Sequence, residues 1–167
     1  GGAGGLTQKA DFPHIALGES TGGSIASPAS FCGVYGLCPT YGRVSRYGLI
    51  DYANSLDKIG PLGKSLYDTA LLQEVISGHD SNDSTSLNVD SEDYTNSIKK
   101  PKNMKIGIIK EAFGQGNEKE VENQVYKGIE KLKENNIECE EVSLKLPIKY
   151  GLETYYMIAT SEASTNL

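Results

Sequence analysis

The run Thr21-Gly22-Gly23-Ser24 contains the residue types that could perform covalent chemistry. A serine hydroxyl is a weak nucleophile, so catalysis at Ser24 requires a nearby base and backbone N–H groups aimed at the developing oxyanion. The two glycines before Ser24 let a substrate carbonyl approach the main chain closely, because they carry no side chain. Acyl transfer is one hypothesis for this segment, and a plain glycine-rich turn between strands is the other.

The sequence offers no histidine that matches a serine hydrolase. His14 stands beside a proline and His79 at the end of a predicted helix, and neither has a partner His, Cys or carboxylate at ligand spacing. This pattern argues against a zinc site and against a Ser-His triad. A base for Ser24 has to be a lysine or another serine.

Two other glycine-rich runs occur in the sequence. The first, Gly1–Gly5 (GGAGG), could be a linker. The run GPLGKS at 60–65 ends like a phosphate-binding loop, but the first glycine of that motif would fall on Lys58. The spacing therefore excludes the phosphate loop, and Ser65 is predicted to cap a helix.

The composition is that of an ordinary globular protein. The chain has 167 residues, a net charge of −6 and 38% hydrophobic residues. It contains no apolar run of about 18 residues, so we expect no membrane span and a cytoplasmic protein. The acidic balance argues against wrapping nucleic acid, and the weak basic patch Arg43 to Arg46 is interpreted as solvated or structural.

Periodicity predicts the elements that must position the serine. Ala16–Gly18 is typical of the end of a buried strand, followed by a turn over 19–24. Residues 1–64 are predicted to form short strands between tight turns. A helix with a Ser65–Asp68 capping box follows, and Gly78 is predicted to stop it. Its apolar side chains recur at helical spacing: Leu66, Ala70, Leu71 and Val75.

The second half of the chain shows a different pattern. Residues 79–103 are predicted to be a polar connector, and 104–147 a β-α-β unit with parallel strands. The helix of this unit is indicated by one apolar face: Val121, Val125, Ile129 and Leu132. Residues 148–167 are predicted to begin a further helical segment, with an interrupted helix over 155–167. Asp51, Asp57 and the acidic residues at 118–122 are interpreted as helix caps and solvated surface.

Longer stretches of the sequence carry a family resemblance. They are 16–28, 31–37, 39–50, SLDKIGPLGKSLYDTALL and the closing TYYMIATSEASTNL. These stretches resemble the amidase signature family, and within it the glutaminase subunits of tRNA-dependent amidotransferases. The resemblance covers almost the whole chain. It implies an α/β fold with a mixed β-sheet covered by helices, of which 1–167 form a partial, central portion.

The resemblance also implies a mechanism that uses a serine, a bridging serine and a lysine to release ammonia from glutamine. Ser24 matches the acyl nucleophile, and the backbone amides of Thr21, Gly22 and Gly23 match the oxyanion hole. The implied partners are the B and C subunits of the amidotransferase. The B subunit uses ATP to amidate Glu-tRNA(Gln) or Asp-tRNA(Asn), so no cofactor or metal is expected on this chain.

The chain departs from the family pattern at several positions. The family run GGSSGG reads GGAGG here, one residue shorter, so Ala3 lies at or beside the position of the bridging serine. The catalytic lysine is expected before Gly1. Three residues replace family side chains: Ser20 for Asp, Ala26 for Arg and Cys38 for Lys. The chain alone is therefore expected to be inactive. Two alternatives stay open, a stand-alone amidase of small amides and a catalytically inactive remnant.

Overall fold

The computed structural model describes residues 1–98 and 104–167, which fall into two compact units. One unit comprises 1–98 with 157–167, and the other comprises 104–156. The first unit contains α1 (Gly2–Lys9), β1 (Ile15–Ser20), α2 (Ala26–Cys32), β2 (Tyr35–Gly36), β3 (Lys58–Gly63), α3 (Leu66–Ile76) and α4 (Tyr94–Ser97). The second contains β4 (Lys105–Ile109), a 3₁₀ turn (Lys110–Ala112), α5 (Lys119–Glu134) and β5 (Glu138–Val142). The division between them falls within α6 (Lys145–Asn166).

The first unit is built on an antiparallel sheet in the order β1-β3-β2. The strand predicted at Ala16–Gly18 is confirmed, although it continues further than predicted. The prediction that this strand is buried is wrong, because Leu17 is 54% exposed. Glu19 and Ser20 still pair with Ile59 and Lys58 of β3, so the turn begins only at Thr21. The ladder between β1 and β3 therefore ends directly before the candidate nucleophile loop.

Small side chains let the elements of this unit approach closely. Ile25, Ala29 and Leu62 form a buried cluster, and Ala3 is one of the partly buried residues that pack against it. A β-carbon at Gly60 would lie 2.1 Å from the carbonyl oxygen of Leu37, which no side chain tolerates. The core is consequently compact and joins α1, α2 and the sheet.

Two segments predicted as linker or strand are helices. The glycine-rich run at the start of the chain forms most of α1, so the linker interpretation is wrong. Glycine is a poor helix former, but tertiary packing overrides this tendency. Gly4 is buried, and a β-carbon there would already touch the Pro28 carbonyl oxygen at 3.4 Å. Residues 26–32, also predicted among the short strands, form α2, with Pro28 in the first turn where proline is tolerated.

Helix α3 begins as the sequence predicts. The Ser65 hydroxyl accepts a hydrogen bond from the Asp68 N–H at 3.0 Å, and the Asp68 carboxylate accepts one from the Ser65 N–H at 3.1 Å. Of the predicted apolar stripe of α3 only Ala70 is buried, together with Thr69 and Gln73, whereas Leu66, Leu71 and Val75 are exposed. Compact side chains face β3, because a β-carbon at Gly63 would lie 2.9 Å from that of Asp68.

The predicted β-α-β unit is confirmed in the second unit. β4 and β5 are parallel, with Lys105 opposite Glu138 and Ile109 opposite Val142. On the predicted apolar face of α5, Ile129 is buried whereas Val121 is 57% exposed.

The remaining predictions concern the connector and the last helix. The end of the predicted connector, 99–103, lies outside the described residues, and its earlier part contains the short α4. The helix predicted from 148 begins at Lys145 and continues to Asn166, so the interruption predicted over 155–167 is wrong. No helix of the described residues is long and apolar enough to cross a membrane.

The capping box of α3 yields a stability prediction. Ser65→Ala removes the side-chain acceptor for the Asp68 N–H and should lower the free energy of unfolding by about 1 kcal/mol. Urea denaturation measures this change. Ser84→Ala is the matched control, because the Ser84 hydroxyl is exposed and has no partner among the described residues. Equal free energies of unfolding for S65A and S84A would contradict the prediction.

Candidate active site

The candidate nucleophile lies in a short loop between β1 and α2. Ser24 is exposed, and within residues 1–98 and 104–167 its hydroxyl has no hydrogen-bond partner. Gly23 has φ +135°, a conformation that L-residues with side chains rarely adopt. Its carbonyl accepts a hydrogen bond from the Ser27 N–H at 2.8 Å. The glycine thus turns the chain so that Ser24 faces solvent directly before α2.

The backbone N–H groups of the loop differ in their availability. Gly23 donates to the Ser20 hydroxyl at 3.2 Å, and Ser20 is only 2% exposed. The N–H groups of Thr21, Gly22 and Ser24 donate to no other residue that the structure describes. Two of the amides matched to the oxyanion hole are therefore free to donate, while the third is already engaged by Ser20.

The side chain of Thr21 lies between two carboxyl groups. Its Oγ1 is 2.7 Å from Asp57 Oδ1 and 3.0 Å from Glu19 Oε1. A hydroxyl carries one proton, so it donates to one of these groups at a time. Burial raises the pKa of Glu19, and the neighbouring Asp57 carboxyl raises it further, whereas the Thr21 hydroxyl acts in the opposite direction. Of the two carboxyl groups, Asp57 lies at the shorter distance from the Thr21 hydroxyl.

The interpretation of Asp57 as solvated surface is wrong. Its side chain is 1% exposed, and Oδ2 accepts hydrogen bonds from the N–H groups of Tyr52 at 2.8 Å and Ala53 at 2.9 Å. Asp51 is also less exposed than predicted, with Oδ1 3.6 Å from Nη1 of Arg46. No sequence pattern indicates this role for Asp57, because it depends on the strand register: pairing Ser20 with Lys58 places Asp57 next to Thr21.

Ala3 packs against the buried cluster next to the loop, and its side chain is a methyl group. Ala3 lies on α1 and packs against the cluster that contains Ile25, the residue directly after Ser24. A methyl group neither accepts nor donates a proton. Ala26, which stands where the family has arginine, is the exposed first residue of α2.

The two arginines of the weak basic patch form hydrogen bonds within the chain. Arg43 donates to the Tyr94 hydroxyl at 2.7 Å and to Glu92 at 2.5 Å. Arg46 is 8% exposed and donates to the Asn54 carbonyl at 2.7 Å. These contacts support the structural interpretation of the patch.

No cluster of three or more His, Cys, Asp or Glu side chains in the described part of the chain could hold a metal ion. His14 Nδ1 lies 3.1 Å from the hydroxyl of buried Thr7.

The chain matches the amidase family over residues 1–167 and belongs to that family. The A subunit of the glutamyl-tRNA(Gln) amidotransferase from Cyanothece is 56% identical over 154 residues, which cover 92% of this chain and 32% of that protein. The crystal structure of the protein of the same name from Thermotoga maritima has a TM-score of 0.85 and 43% identity, over 91% of this chain and 33% of that one. The α/β fold implied by the family resemblance is confirmed.

More distant members share the same architecture. A peptide amidase, solved in complex with the competitive inhibitor chymostatin, has a TM-score of 0.87 and 27% identity, over 99% of this chain and 34% of that one. The chain spans about a third of the length of the relatives it matches.

The raised pKa of Glu19 predicts a pH effect on stability. The folded state binds the Glu19 proton more tightly than the unfolded chain does, so this group lowers stability as the pH rises from the ordinary carboxyl pKa through the raised one. Glu19→Gln keeps an acceptor for Thr21 and removes the titration. We expect the free energy of unfolding of E19Q, relative to wild type, to increase as the pH rises from about 4 to 7.

Urea denaturation at a series of pH values tests this expectation. Glu153→Gln is the control, because Glu153 is exposed and has no partner among residues 1–98 and 104–167. For E153Q, we expect the difference in free energy of unfolding from wild type to be independent of pH. The same independence for E19Q would show that the Glu19 proton does not influence folding.

Proposed function

We propose that this chain is part of the glutaminase subunit of a tRNA-dependent amidotransferase, with Ser24 as the acyl nucleophile. The observation that carries the proposal is the combination at the β1–α2 loop. The Ser24 hydroxyl is exposed, and the adjacent N–H groups of Thr21 and Gly22 have no acceptor among the described residues. Relatives named as the A subunit of this enzyme, at up to 56% identity, support the assignment.

The proposed reaction begins with attack of Ser24 Oγ on the carboxamide carbon of glutamine. The carbonyl oxygen becomes an oxyanion, which accepts hydrogen bonds from Thr21 and Gly22. The proton that Ser24 gives up on attack passes to the base that the resemblance implies, and from there to the nitrogen. Collapse of the intermediate then breaks the C–N bond, and the nitrogen leaves as ammonia. Water then attacks the ester, which releases glutamate and regenerates the Ser24 hydroxyl.

The rest of the proposal concerns groups outside this sequence. The resemblance implies a lysine base that acts through a bridging serine, and no lysine lies within hydrogen-bond distance of Ser24 among the described residues. We place ATP binding and tRNA amidation on the B subunit, and the complex is completed by the C subunit. This chain then binds no cofactor of its own, and the complex acts as an amide ligase in the cytoplasm.

A second candidate is a catalytically inactive relative that keeps the scaffold. Ala3 favours it, because the position at or beside the bridging serine carries a methyl group packed against the core. A stand-alone amidase is a further alternative, and the similarity of the chain to a peptide amidase supports it. Hydrolysis of small amides without partner subunits would identify it.

The nucleophile is tested by Ser24→Ala in the full-length protein that carries this sequence, purified with its partner subunits. Loss of the nucleophile should lower kcat for glutamine hydrolysis by about a thousandfold or more. Ser27→Ala is the matched control, since Ser27 is also an exposed serine of this segment and its hydroxyl has no partner in the described part of the chain. Intact glutaminase activity in S24A would contradict the proposal.

The Ala3 position is tested by restoring a hydroxyl. Ala3→Ser should raise the rate at which an electrophilic glutamine analogue acylates Ser24 by about tenfold or more, because a serine there can pass the proton. Gly2→Ser on the same helix is the control, as a β-carbon at Gly2 has no neighbour within 4 Å. Mass spectrometry of the labelled peptide measures the rate. Equal rates for A3S, G2S and wild type would exclude Ala3 as the relay position.

A further inference from the structure

The β1–β3 ladder ends where the candidate loop begins. Ser20 opposite Lys58 is the last pair of this antiparallel ladder. The next position on each side is Thr21, which opens the loop, and Asp57, which precedes β3. The Thr21 hydroxyl donates to Asp57 Oδ1 at 2.7 Å, so a side-chain hydrogen bond continues the ladder by one step.

Asp57 is held firmly enough to serve as an anchor. A buried carboxyl group is costly unless hydrogen-bond donors replace its water. Here Oδ2 accepts the N–H groups of Tyr52 and Ala53 at 2.8 and 2.9 Å, while the side chain is 1% exposed. The Asp57 N–H in turn donates to the Ala53 carbonyl at 2.9 Å.

The rest of the loop has no comparable attachment to another part of the chain. Gly22 and Gly23 have no side chains, and the Ser24 hydroxyl has no partner among residues 1–98 and 104–167. The contacts of Gly23 are local, to the hydroxyl of Ser20 and the N–H of Ser27. Thr21 is therefore the loop residue whose side chain reaches a distant segment.

We propose that Asp57 is a positioning residue for the candidate active site. Its side chain accepts a hydrogen bond from the Thr21 hydroxyl. This bond fixes the backbone at Thr21, so the free N–H groups of Thr21 and Gly22 point in the direction from which they can bind an oxyanion. This inference rests on the proposed function and deepens it. Nothing in the family resemblance assigned a role to Asp57.

The decisive variant is Thr21→Val in the full-length protein with its partner subunits. Valine has nearly the shape of threonine and keeps the backbone N–H, but it can donate neither to Asp57 nor to Glu19. Amide hydrogen exchange over residues 21–24, followed by mass spectrometry, should speed up by about tenfold or more. For glutamine hydrolysis, kcat should fall by about tenfold with KM little changed, since the oxyanion exists only beyond the ground state. Thr21→Ser restores the hydroxyl and should restore both values.

Further variants make the result specific. Thr69→Val also removes a buried threonine hydroxyl bond, from Thr69 Oγ1 to the Ser65 carbonyl at 2.9 Å, but in α3. It should leave exchange at 21–24 unchanged. Asp57→Asn replaces one acceptor oxygen of the anchor with an amide group and should speed up exchange at 21–24 as T21V does. Should D57N not fold, Glu19→Ala decides the question: it removes the other carboxyl group near the Thr21 hydroxyl and should leave exchange at 21–24 unchanged, whereas exchange as fast as in T21V would overturn the role of Asp57.

The outcomes separate the two proposals. Exchange at 21–24 in T21V equal to wild type, or equal to that in T69V, overturns the positioning role whatever the activity. An unaltered kcat in T21V with faster exchange overturns it as well, because the loop would then move without consequence for the oxyanion. Failure of the proposed function shows itself elsewhere, as glutamine hydrolysis that survives Ser24→Ala.

Discussion

The buried carboxyl group of Asp57 joins separate stretches of the first unit. Burying a polar group away from water is costly, so the fold must supply hydrogen-bond donors in place of water. These donors come from two separate stretches of chain, the N–H groups of Tyr52 and Ala53 and the hydroxyl of Thr21. One buried carboxyl group thereby connects the turn before β3 with the start of the loop after β1, and Ser24 lies three residues beyond that connection.

The same loop is held from its other end by the hydrophobic core. Ile25, the residue after Ser24, is fully buried and packs with Ala29 and Leu62. Glycines at 36 and 60 allow this close approach, since a β-carbon at Gly36 would lie 3.0 Å from Ile25 Cγ2. A change in core volume here would shift Ser24 directly, because close-packed interiors transmit strain. The polar contact of Thr21 and the apolar contacts of Ile25 thus hold the first residue of the four-residue loop and the residue directly after it.

The loop keeps local backbone donors available. The N–H groups of Thr21 and Gly22 donate to no other described residue, and the Ser20 hydroxyl accepts the Gly23 N–H and closes the turn from within. Under the proposed function, binding an oxyanion needs only such local groups, whereas proton transfer also needs side chains from other elements. Ala3, at or beside the position that the family resemblance implies for the bridging serine, offers only a methyl group for that second task.

Local signals were sufficient for much of the architecture. The capping box of α3 and the β-α-β pattern depend on neighbouring residues, and both were predictable from spacing alone. The Thr21–Ser24 run was likewise recognisable as a candidate loop from its residue types, and its motifs carried the family resemblance. Only the tertiary structure decided that the glycine-rich start is helical and that Asp57 is buried. Packing of Gly4 against α2 outweighs glycine's poor helix propensity, and the burial of Asp57 depends on the β1–β3 register. Both depend on contacts between residues far apart in the chain, which the spacing of neighbours in a sequence does not encode.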